Sequence, residues 1–130
     1  MFNFVKELRV IGVISSALGK ISLKFCGNDF LEKLTIKERN LLASDTLQII
    51  ENLHSTKILD PDNLAPYFDD VVVCGFLLLA KKITPKDALN HQLVLLGLMN
   101  YINATFNQNG TISPTLLTEA SNYLNSYKMG

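Results

Sequence analysis

The chain has no tryptophan, only two cysteines and two histidines, and no net charge. Each shortage excludes something. Two cysteines, Cys26 and Cys74, are too few for a small secreted domain held by several disulfides. Both stand inside apolar stretches, so they read as small buried hydrophobes in a reducing, cytoplasmic setting. His54 and His91 lie far apart, without the short recurring spacing of zinc ligands, so no metal or other cofactor is expected from them. Twelve basic residues balance twelve acidic ones. That balance leaves no basic footprint of the kind a nucleic-acid partner requires.

Charge of either sign is also scarce. Charged residues make up 18% of the chain, below the roughly 25% usual for soluble domains, while hydrophobic residues reach 48%. A chain this short of solubilising side chains is expected to have part of its apolar surface covered by another protein, as in a hetero-complex or a homodimer. A membrane surface is the less favoured cover. The longest apolar run, Val71 to Ala80, falls well short of the ~20 residues a spanning helix needs. Lys6 and Arg9 precede the apolar Val10 to Leu18 as in a signal peptide, but Lys20 and Lys24 continue the helical spacing and no small-residue cleavage site follows. Glycine-rich phosphate loops, nucleophile elbows and paired-histidine helices are likewise missing.

What is present is helical periodicity throughout. Phe2 to Phe25 places Val10, Ile11, Ile14, Ala17, Leu18, Ile21 and Phe25 on one stripe, with Lys6, Arg9, Ser16, Lys20 and Lys24 opposite. Gly12 and Gly19 leave flat spots on this helix where a neighbour can come close, and Gly27 is placed to end it. Asn28 or Asp29 caps a short turn. Thr35 and Glu38 then form a capping box for a second helix that runs to about His54, with Leu42, Leu47, Ile50 and Leu53 on its core face. Asp60-Pro61-Asp62-Asn63 is turn chemistry.

A third helix, Ala65 to Lys82, is apolar on every side over Val71 to Ala80 and is expected at the centre of the fold. Thr84-Pro85 starts a fourth helix, which ends at Asn107-Gln108-Asn109-Gly110. Two lines of leucines, Leu89/Leu93/Leu96 and Leu95/Leu98/Ile102, predict apolar contacts on two of its sides. Ser113-Pro114 starts a fifth helix, in which Leu116, Leu117, Ala120, Tyr123, Leu124 and Tyr127 are available for burial. The expectation is one all-α domain over residues 1–130, a compact bundle of about five helices around an all-apolar central helix.

Three constellations bear on function. Asp60, Asp62, Asp69 and Asp70 could offer carboxylates to a hard cation, with Asp62, Asp69 and Asp70 the candidate ligands. A calcium loop of the EF-hand type fails, because Ala65 and Val71 stand where its glycine and glutamate belong. We favour turns and helix-dipole complementation for these aspartates. Cys74, His91 and an aspartate can be drawn as a catalytic set, but nothing brings Cys74 to a helix N-terminus or a basic pocket. His91 reads as a packed histidine with one hydrogen-bond partner, and His54 as a cation near a helix end. The third is the basic side of the first helix, where Lys6, Arg9, Lys20 and Lys24 are the candidate interaction residues for an acidic partner or anionic lipid, although we favour an ordinary solvated face paired with the acidic Asp45 to Asp70 segment of the same chain. The functional expectation is a non-catalytic interaction protein. The alternatives are a peripheral membrane protein using the first helix, and a small metal-dependent enzyme using the aspartates.

Overall fold

The computed structural model describes residues 3–55, 62, 64–83, 87–106 and 112–127, and the side chains among them except those of residues 3–6 and 106. Five α-helices pack together: α1 (Asn3–Cys26), α2 (Ile36–Leu53), α3 (Phe68–Lys82), α4 (Ala88–Phe106) and α5 (Pro114–Ser126). Two short 3-10 turns, Phe30–Lys33 and Ala65–Tyr67, lead into α2 and α3. Among the described residues there is no strand. Asp60, the Thr84-Pro85 start, the Asn107–Gly110 stop and the side chain of Lys6 lie outside the described residues.

Local chemistry accounts for most of the boundaries. Gly27 takes φ +73°, a conformation that suits a residue without a Cβ, and the chain leaves α1 there. The Ser22 hydroxyl donates to the Asn28 carbonyl and accepts from the Phe30 amide at 3.1 Å, pinning the following turn onto α1. Asp29 caps that turn by accepting from the Leu31 amide. Thr35 and Glu38 form the reciprocal capping box at the start of α2, and its hydrogen bonds hold the Glu38 carboxyl below its usual range. Pro66 has no N–H to give, and the segment expected as the first turn of α3 is a separate 3-10 turn that passes directly into α3 at Phe68.

Helix α3 is the centre of the bundle. Every residue from Asp70 to Leu77 is buried, as are Leu79 and Ala80. It packs against α1, α2, α4 and α5, and α1 also packs along α2 and α4. The close approaches expected at Gly12 and Gly19 occur elsewhere. A Cβ at Gly12 would meet nothing within 4 Å, and one at Gly19 only ordinary contacts with Asp29 and Leu31. The tight points are Gly75 of α3 and Gly97 of α4. A Cβ at Gly75 would stand 2.5 Å from Leu18 Cδ2, and one at Gly97 would overlap Cys26 Sγ. Helix α1 is thus seated by two of its own side chains in two glycine notches, about two turns apart.

Two burial expectations need correction. Tyr127 is 43% exposed, because α5 ends at Ser126 and the tyrosine lies past the last turn. The line Leu89/Leu93/Leu96 is covered only in part: Leu93 is half-buried against the core, but Leu89 is 70% and Leu96 40% exposed, while Leu95 and Leu98 on the other line are fully buried. Helix α4 meets α1 and α3 with one face only.

The Gly97 notch makes a specific prediction. Replacing Gly97 by alanine gains about 1 kcal/mol of helix propensity but forces Cys26 Sγ aside, and overpacking of this kind typically costs ~1–3 kcal/mol. With Sγ removed, the nearest atom to the new methyl is the residue-26 Cβ at 3.5 Å, an ordinary contact. Gly97→Ala should therefore destabilise the fold, and Cys26→Ala/Gly97→Ala should be more stable than the sum of the single changes predicts by at least ~1 kcal/mol. Urea denaturation of the four proteins in that cycle measures the coupling.

Candidate interaction surface

Helix α1 turns one face to the core through Val10, Ile14 and Leu18 and leaves the other to solvent. On the open face Arg9, Lys20 and Lys24 are exposed, as the charge pattern predicted. Leu8, Val13 and Leu23, large apolar side chains, are exposed on the same helix. Lys24 lies over the ring of Phe25, its Nζ 5.3 Å from the centroid.

The structure brings one acidic candidate to this basic face. Arg9 Nη2 is 3.3 Å from Asp62 Oδ1, with both side chains more than half exposed. A pair so open to solvent contributes about 0–1 kcal/mol. Its use is geometric: it holds Asp62 beside α1 and closes one wall of a groove of about 640 Å³. Gly12 and Ser16 leave this groove shallow on the α1 side, Phe68 lines it from the α3 side, and Lys20 stands on its rim. A second, smaller depression of about 400 Å³ is also lined by Gly12, Ser16 and Lys20 and reaches Leu23 and Arg39. The helix therefore presents a low ridge of small residues with open space on both flanks, and Lys20 borders both.

Asp69 and Asp70 do something the sequence did not reveal. Helix-dipole complementation alone does not describe them. Asp70 is 2% exposed, accepts from His54 Nε2 at 2.7 Å and takes the Ser113 amide at 2.6 Å. Asp69 accepts the Tyr101 hydroxyl at 2.6 Å. One pair of adjacent carboxylates thus ties the end of α2, the middle of α4 and the start of α5 to the first turn of α3. Burial first, and then the Asp69 bond, drive the Tyr101 hydroxyl well above its ordinary range. Adjacent helical residues point about 100° apart, which is why the two carboxylates serve different neighbours.

Asp62, beside Arg9, is engaged separately, so the three candidate ligands are bonded to different neighbours. Among the described residues no group of three or more histidine, cysteine or acidic side chains is placed to hold a metal ion. No buried side-chain nitrogen or oxygen among them lacks a hydrogen-bond partner. Helix-end histidine His54 is also more than a dipole complement, since its ring is committed to Asp70 and packs on Tyr67 with centroids 4.7 Å apart.

His91 is packed as expected, but with two hydrogen-bond partners in place of one, the Tyr123 hydroxyl and the Ala80 backbone. Its Nε2 is 3.2 Å from the Tyr123 hydroxyl and its ring lies 4.1 Å from that of Tyr127. Burial lowers its pKa, and a bond to the Ala80 backbone opposes that shift. Both cysteines are free and buried. Burial pushes the Cys26 thiol up to about 11 and the Cys74 thiol up to about 12, with Glu119 adding to the latter. Both stay protonated at neutral pH, the opposite of what an activated nucleophile needs. No protein family matches this chain, and neither a curated protein nor a solved structure is detectably similar to it.

Two predictions follow from the buried groups. Removing the Asp70 carboxylate strands a buried amide and a histidine, so Asp70→Ala should cost about 1–3 kcal/mol in chemical denaturation, against at most about 1 kcal/mol for Asp62→Ala. His91 folds in its neutral form more readily than in its charged one. Its contribution is therefore complete above its ordinary pKa of 6.5 and declines as pH falls through that value. His91→Gln should lose less melting temperature than the parent between pH 7.5 and pH 5.5, as followed by circular dichroism.

Proposed function

We propose that this chain is a small, non-catalytic helical interaction domain that takes an amphipathic helix of another protein along the open face of α1. An adaptor, a chaperone for a partner or an immunity-type inhibitor fits this reading. The observation that carries the reading is the ridge of Gly12 and Ser16 between two depressions, flanked by exposed Leu8, Val13 and Leu23. Small residues let a second helix approach closely, and large apolar residues to either side give it something to bury. Lys20 and Lys24 make no ion pair among the described residues, which favours a partner with acidic residues along its polar edge. The free thiols agree with a cytoplasmic setting.

A second reading has its own support. Basic residues interleaved with exposed leucines on one helix also suit an anionic membrane surface, on which the protein would lie peripherally. No helix among the described residues is long and apolar enough to cross a membrane.

The test uses Ser16→Trp, which fills the ridge without touching the core, and Lys20→Glu/Lys24→Glu, which reverses the rim charge. Both variants should keep the parent melting temperature. Both should lose the partner that co-purifies with the tagged protein from its own host. Co-purification unchanged in both variants removes the α1 face from consideration. Co-sedimentation with phosphatidylserine vesicles, lost in the charge-reversed protein, would favour the membrane reading.

A further inference from the structure

Helix α5 is fastened to the bundle by polar contacts at two points, and each point involves one of the chain's two histidines. At its start the Ser113 amide donates to Asp70 Oδ1, and the other oxygen of Asp70 is bonded to His54 Nε2. Toward its end Tyr123 and Tyr127 close on His91 of α4. The Tyr123 hydroxyl is 3.2 Å from Nε2, and the Tyr127 ring centroid is 4.1 Å from that of the imidazole.

A proton has different effects at the two points. His54 faces a carboxylate, so charging its ring turns a hydrogen bond into an ion pair and keeps Asp70 in place for Ser113. His91 is buried and has no carboxylate within ion-pair distance among the described residues. From α3 it meets the Ala80 backbone, beside Lys81. From α5 it meets the two tyrosines, one turn beyond Glu119, and on α4 itself Asp87 stands exposed one turn earlier. Lys81 and Glu119 are spent on each other at 3.0 Å. Burial first, and then Tyr127, keep the Tyr123 hydroxyl from ionising, so it offers no negative charge. The neutral ring matches this site: one N–H serves the Ala80 carbonyl, and Nε2 accepts from the Tyr123 hydroxyl. A charged ring has two N–H groups and no acceptor. The Tyr123 hydroxyl can no longer donate to it, and its charge is buried without a counter-charge.

We propose that α5 is a pH-sensitive strap, hinged at Ser113 on Asp70 and latched at Tyr123 on His91, and that protonation of His91 releases the latch while the hinge holds. Released from α3, a helix of 13 residues is at the length where an isolated helix is marginal in water, so its backbone hydrogen bonds open with it. Opening returns His91 to solvent and to its ordinary pKa of 6.5. At pH 5.5 a freed ring is then charged about ten times in eleven, so acid raises the opening of α5 by up to about tenfold over pH 7.5. The strap lies apart from the α1 face, and the proposal does not rest on the reading of that face.

Hydrogen exchange of the full chain, followed by NMR and corrected for intrinsic rates at each pH, tests it. Amides of α5 from Leu117 to Leu124 should be less protected than those of α2 from Leu42 to Ile50, which report global unfolding. Protection in α5 should fall between about threefold and tenfold from pH 7.5 to pH 5.5. His91→Gln, whose amide donates and accepts but takes up no charge, should abolish that fall, and His54→Gln should keep it. His91→Asn takes the place of His91→Gln if the latter does not fold. Equal protection of α5 and α2 at both pH values overturns the proposal, because α5 then opens only with the whole molecule. So does an acid response of α5 that survives the His91 change, or one that is lost with His54 and kept without His91.

Discussion

A helix that is apolar all round has no side that water tolerates, and α3 is such a helix. From Asp70 to Leu77 it exposes no residue, so other elements must cover it on every flank, and α1, α2, α4 and α5 do so. That requirement sets the rest of the architecture. It makes a bundle the solution, it places both glycine notches at contacts of α1, and it draws the end of α2, the body of α4 and the start of α5 toward the α3 N-terminus. At a burial free energy of about 1.5–3 kcal/mol for each large aliphatic or aromatic side chain, Val71, Val72, Val73, Phe76 and Leu77 supply a large part of the drive to fold.

The polar chemistry serves the same end. Bringing α2, α4 and α5 against the start of α3 buries groups that water would otherwise satisfy. Asp69 and Asp70 supply acceptors for a tyrosine hydroxyl, a histidine ring and a backbone amide at one point. Ser113, which occupies the cap position of α5, makes no side-chain capping bond, and its amide is given to Asp70 instead. Structural demands therefore absorb the carboxylates that looked most like a cation site. The outer side of α1 keeps open space and lysines without an ion pair among the described residues, and Lys20 borders both of its depressions.

The helices themselves were legible because they are written in local signals: period-3.6 stripes, the Thr35/Glu38 box, Gly27, and proline at Pro66 and Pro114. The central place of α3 followed from its having no polar flank. What could not be read depends on which elements meet. Gly75 and Gly97 matter because Leu18 and Cys26 happen to point at them, and no pattern within α3 or α4 announces that. Gly12 and Gly19 have the same local signature and face open space or an ordinary contact. Asp70 looked like any acidic residue in a first helical turn, since His54 and Ser113 reach it from distant parts of the chain. The exposed line of Leu89 and Leu96 resembled a second core face because periodicity reports apolar stripes and is silent on what covers them.

Helix α5 is the lightest attachment in the bundle. Its helix-to-helix packing is mainly on α3, with His91 of α4 meeting Tyr123 and Tyr127, and the Asp70 bond to its first turn is formed across a long stretch of intervening chain. Segments so held open independently of the rest and more often, on a scale set by their own few contacts instead of by global unfolding. When α5 lifts away, one largely apolar flank of α3 is bared, and the Lys81–Glu119 and Asp70–Ser113 links are broken. The state that a protease or a chaperone meets first is thus not the unfolded chain but a four-helix remnant with its central helix partly uncovered.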